Sequence, residues 1–144
     1  GLLVAGAALA VIAALAPIEP VTRARLVTAE VVALTGWLAL AIVGHAHKIV
    51  PFIAYKALRA RGVTTGRSGR PLLFADLLHR PTARLTLAVA AAGYLLAVAG
   101  AAAASRDVLA VGGATVAAAG VLVTANIAIG PRRAVRAGGA ATSS

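Results

Sequence analysis

Four apolar runs, separated by prolines, glycines and arginines, set the pattern of this chain. Gly1 to Ala16 is alanine- and leucine-rich, carries no charged side chain, and stops at Pro17. As a helix it spans only about 24 Å, short against a bilayer core of about 30 Å. Pro17 and Pro20 bracket a tight turn, because each disfavours helix in the residue before it. Thr22 can then cap a second helix, predicted from about Arg23 to Ala60 with Gly62 as its stop. Inside it, Leu26 to Val43 holds a single charge, Glu30, and is long enough to cross a membrane. Pro51 lacks an N–H and would clash with the carbonyl of His47, which predicts a kink. Beyond it Phe52, Tyr55, Lys56, Arg59 and Arg61 suit the headgroup region, rings and long cations together.

The stretch 62–70 (GVTTGRSGR) reads as a loop, and it lacks the Lys-Ser ending of a phosphate loop. Pro71 opens a short segment, Leu72 to His79, closed by Pro81. Its leucines and Phe74 fall on one side at helical spacing, so it is expected to lie flat on the membrane. A third helix is predicted over about 84–104 and a fourth over about 107–129, with Asp107 as N-cap and Gly130-Pro131 as the stop. Gly93 and Gly100 are seven apart, as are Gly113 and Gly120, and small residues so spaced let antiparallel helices approach closely. The third and fourth helices are therefore expected to form a tight hairpin. The organisation that results is a transmembrane domain over 1–131 (helices about 1–17, 23–60, 84–104 and 107–129). A basic and then disordered tail is expected over 132–144.

Composition agrees with this pattern. Of 144 residues 60% are hydrophobic and only 12% are charged, far from the roughly one-quarter charged of soluble domains. The net charge of +10 would suit nucleic acid, but the cations sit between apolar runs and aromatics are 3%, too few for stacking platforms. Nucleic acid is not an expected partner; a lipid bilayer is. There is no cysteine, hence no disulfide, thiolate metal site or cysteine nucleophile. The first run has no basic segment ahead of it and Pro17-Ile18-Glu19-Pro20 makes a poor cleavage site, so it reads as a membrane helix rather than a signal peptide. Arg23, Arg25 and Arg106 lie on one side of four crossings, and the remaining eleven of the fourteen cations on the other. That excess makes the second side cytoplasmic, with both termini inside a cell inner (plasma) membrane.

Few side chains offer chemistry. His45 and His47 are about 200° apart on a helix, so both cannot ligate one metal or one haem iron. His45 shares a side with Trp37 and Lys48 and follows Gly44, where a neighbour could come close, so it is expected to face inward and His47 to face away. A histidine without a ligand role is the alternative for each. Glu30 is an ionisable group inside a span, a functional candidate by default, or a side chain reaching out to Arg23 or Arg25. Trp37 reads as packing, and Asn126 with Thr124 as an interhelical hydrogen bond. Serines occur only at Ser68, Ser105, Ser143 and Ser144, none beside a membrane histidine, so no hydrolytic triad and no catalytic residue is expected. No metal set is expected either.

The run Gly36-Trp37, Gly44-His45 and Lys48-Ile49-Val50-Pro51-Phe52 resembles a motif of small bacterial membrane proteins related to haem-copper oxidase subunit I and to NnrS-type proteins. The basic loop, the proline-led Leu72 to Leu78 segment and the glycine-bearing third helix extend the likeness over about residues 26–130. The resemblance implies histidines just before the Gly-Trp pair. Here that stretch reads Thr28-Ala29-Glu30-Val31, and no haem or copper ligand is carried into it. The expectation is an all-α integral membrane protein, four transmembrane helices in an antiparallel bundle with an amphipathic interfacial segment between the second and third. As the resemblance implies, it would be a small subunit or module of a respiratory or redox membrane complex, packed against a larger partner. The alternatives are a haem- or metal-binding protein using His45 or His47 with a histidine of another chain, and an oligomeric small-solute or proton transporter using Glu30.

Overall fold

The computed structural model describes residues 1–66 and 69–135. Arg67 and Ser68 of the expected loop, and the tail from Arg136 onward, lie outside the described residues. The described chain is helical: α1 (Leu2–Leu15), α2 (Pro20–Ala60), a short 3-10 turn (Phe74–Leu77), α3 (Arg80–Ala103) and α4 (Arg106–Val135). It contains no strand, only an isolated bridge between Thr65 and Pro71. Three helical segments, Pro20–Ala60, Arg80–Ala103 and Arg106–Ile129, are long and apolar enough to cross a membrane. α1, with 14 residues, is not among them.

Prolines account for most differences from the expected boundaries. α2 starts at Pro20 and α3 at Arg80, with Pro81 next, because a first-turn residue needs no N–H and the proline φ is already helical. The prolines thus open helices that were expected to begin later. α4 continues through Gly130-Pro131 to Val135 instead of stopping at 129. Proline's clash falls on the Cβ and amide of the preceding residue, and a glycine there tolerates the helical conformation. The segment expected to lie flat on the membrane is a four-residue 3-10 turn with no apolar stripe. Leu72 and Leu77 are buried while Leu73 and Phe74 are exposed, since a turn this short cannot repeat the 3.6-residue period.

The chain folds as two compact units. In the first, residues 1–42 and 87–120, backbones meet at glycines. A Cβ built on Gly6 would lie 3.2 Å from Leu34, and one on Gly36 would lie 2.6 Å from the Tyr94 ring. Ala29 and Ala33 are wholly buried, so the face of α2 turned to its neighbours is Ala29, Ala33 and Gly36. The α3–α4 pair is tighter. A Cβ on Gly100 would lie 2.5 Å from the Leu109 amide nitrogen, one on Gly112 2.5 Å from that of Ala97, and one on Gly93 2.9 Å from that of Val116. These contacts run in opposite directions along the two helices, a hairpin. The partner of Gly93 on α4 is therefore Gly112 and Val116. Nothing lies within 4 Å of the Cβ position of Gly113 or Gly120, which corrects the expected glycine register.

In the second unit, residues 43–86 and 121–144, Leu58, Leu72 and Leu77 form a small core against Ala54, Tyr55 and Val63. α2 ends there in a Schellman cap. The Val63 amide donates to the Leu58 carbonyl at 3.0 Å and the Gly62 amide to that of Arg59 at 3.0 Å, with Gly62 at φ +81°. One turn earlier, Lys56 lies 5.3 Å from the Phe52 ring centre and Arg59 lies 5.9 Å from that of Tyr55. These i,i+4 cation–aromatic pairs suit the edge of a membrane, where a ring and a long cation can share one interface.

Candidate functional site

Hydrocarbon offers no hydrogen-bond partner, so polar side chains in a span must bond to their own helix or to a neighbour. Most here use their own helix. The hydroxyls of Thr28, Thr86 and Thr115 donate to the carbonyls of Ala24, Thr82 and Val111, four residues back, at 2.8–2.9 Å. His47 does the same through its ring: Nδ1 lies 2.8 Å from the Val43 carbonyl oxygen. A carbonyl only accepts, so Nδ1 carries a proton and donates it, which leaves Nε2 as the second polar atom of the ring. That Nε2 is enclosed by protein without a hydrogen-bond partner.

A second polar atom of the same unit is in the same condition. Asn126 on α4 is 8% exposed, and its Nδ2 donor has no partner. Its expected interhelical hydrogen bond is therefore not made by the amide nitrogen. Asn126 lines a cavity of about 10 Å³ with Val50, Pro51 and Leu77, at most the size of one water. Pro51 brings no N–H to the helix, so the His47 carbonyl loses its usual donor four residues on. Around His47, α2 thus leaves a backbone acceptor without its usual donor, and Asn126 of α4 holds a donor without a partner.

The two histidines are placed opposite to expectation. His47 is 5% exposed, and His45 is exposed on the helix surface. The wheel placed His45 inward because it lies near Trp37, but Trp37 itself is 46% exposed. Gly44 gives no close approach, with nothing within 4 Å of its Cβ position. At His47 the nitrogen that could ligate, Nε2, is enclosed by protein. Among the described residues no group of three or more His, Cys, Asp or Glu side chains could hold a metal ion.

Glu30 is half-buried in the first unit, one residue past fully buried Ala29. The stripe it shares with Leu34 and Trp37 is turned outward, both being exposed. No ion pair joins it to Arg23 or Arg25. Ser105, not Asp107, caps α4: its Oγ accepts the Val108 amide at 3.4 Å, with Asp107 inside the first turn. His79 likewise caps α3, accepting the Thr82 amide at Nδ1.

No protein-family model, no curated protein and no solved structure matches this chain.

Proposed function

We propose that this chain is a small integral membrane subunit or module of a redox or respiratory membrane complex, packed against a larger partner through α2. The observation that carries the reading is the outward presentation of the motif residues. Trp37, His45 and Phe52 are all exposed, and only 17% of the most apolar window of α2 is buried. A tryptophan on the outer face of a span is better accommodated against protein than in lipid, since protein supplies both packing and a partner for the indole N–H. The resemblance of Gly36 to Phe52 to small bacterial redox-associated membrane proteins selects the class of partner. In this reading α1 is a short fourth crossing, the helices form an antiparallel bundle in a cell inner membrane, and the arginine-rich side with both termini is cytoplasmic.

A photo-crosslinking residue placed at Trp37 in native membranes tests it. One larger membrane polypeptide captured at Trp37, and none at Val4 on the exposed surface of α1, is the expected result. Capture of lipid alone at Trp37, or of nothing but a second copy, would sink the reading.

A further inference from the structure

At one end of the first unit, the start of α2 and the α3–α4 turn enclose an open groove of about 360 Å³. That volume falls in the range of about 300–1,000 Å³ typical of ligand sites. The groove exists because its floor is made of Gly100, Ala101 and Ala104, where larger side chains would fill it. Arg25 and Arg106 line it, both exposed and neither in an ion pair with a carboxylate among the described residues. No acidic side chain lines the groove. Ser105 adds a third donor. Its Oγ accepts the Val108 amide, which leaves the hydroxyl hydrogen to give away. The Thr28 hydroxyl hydrogen is already committed to the Ala24 carbonyl.

Two arginines and a serine lining one groove offer donors that match the oxygens of a phosphate. The location narrows the ligand further. Here α3 ends and the apolar segment Arg106–Ile129 begins, so the groove sits where a span meets the membrane boundary, with Leu109 on its apolar flank. We propose that this groove holds the phosphate of an anionic glycerophospholipid, its acyl chains lying along the apolar surface of α4. Arg25 and Arg106 clamp the phosphate from two helices, and Ser105 fixes its orientation.

The test uses the full chain, taken up into discs of phosphatidylglycerol and phosphatidylcholine in equal amounts and analysed by native mass spectrometry for retained lipid. The parent should retain phosphatidylglycerol over phosphatidylcholine by about tenfold, the size expected of one charge-assisted contact. Arg25→Gln with Arg106→Gln should bring the ratio to about parity, while Arg23→Gln, equal in charge lost per site but outside the groove, should leave it unchanged. A parent ratio at parity overturns the proposal. So does an equal fall in Arg23→Gln, which would mean diffuse attraction. Displacement of the lipid by inorganic phosphate alone would assign the groove to a free anion and overturn the lipid assignment.

Discussion

Ala104 ends α3 at φ 53°, a left-handed conformation that a non-glycine residue rarely adopts. The cap it serves is the same Schellman arrangement that Gly62 serves on α2. The Ser105 amide donates to the Gly100 carbonyl at 2.9 Å and the Ala104 amide to that of Ala101 at 3.3 Å. Ala104→Gly should therefore raise the melting temperature in detergent, with a gain of about 0.5–1 kcal/mol after the larger chain entropy of glycine is set against the relieved strain. Gly62→Ala should lower it by about 0.5–1 kcal/mol, the same balance with its sign reversed. A glycine at a helix end announces such a cap in the sequence, which is why Gly62 was legible and Ala104 was not. The histidines show the same limit. That they face opposite ways follows from spacing alone, but which one faces inward depends on where the neighbouring helices lie. His47→Ala should cost about 2–4 kcal/mol, since it empties a buried site and leaves the Val43 carbonyl without that donor. His45→Ala should stay within about 0.5 kcal/mol. Equal thermal shifts in the two variants would contradict the burial difference.

At the scale of elements, the α3–α4 hairpin shows how far a pattern of small residues specifies a contact. Two glycine pairs at seven-residue spacing announce close packing, but the register between helices is set by the turn, here only Ala104 and Ser105. With the turn that short, Gly100 meets Leu109 and Ala97 meets Gly112, and the adjacent Gly113 is rotated by about 100° to open space. Gly100→Ala and Gly112→Ala each place a methyl group on backbone atoms and should lower thermal stability by about 1–3 kcal/mol. Gly113→Ala should be neutral or stabilising by up to about 1 kcal/mol, since alanine is the better helix former. Melting curves in one detergent rank the three directly, and a Gly113→Ala loss as large as the other two would mean the register is wrong. The helices were legible for a simpler reason. An uninterrupted apolar run is a local property of the chain, whereas prolines punctuate it ambiguously, opening a helix at Pro20 and passing within one at Pro51.

For the whole molecule, α1 decides the topology. Three helical segments have the length and hydropathy of a crossing and α1 does not, spanning about 21 Å at about 1.5 Å per residue. Its composition is nonetheless wholly apolar, and a short apolar helix can cross where the bilayer thins or where neighbouring helices shield its ends. The distribution of cations does not decide this, because none precedes Arg23 and eleven of the fourteen lysines and arginines fall on one side whether or not α1 crosses. The chain has no cysteine, so single cysteines can be read without background. In intact cells, Gly66→Cys should be shielded from a membrane-impermeant thiol reagent and Asp107→Cys should react, which fixes the orientation of α3. Gly1→Cys and Glu19→Cys then report on α1 alone. If α1 crosses, Glu19→Cys reacts with Asp107→Cys and Gly1→Cys is shielded with Gly66→Cys. Reaction at both Gly1→Cys and Glu19→Cys would leave α1 on the outer surface, reduce the crossings to three, and place the two termini on opposite sides of the membrane.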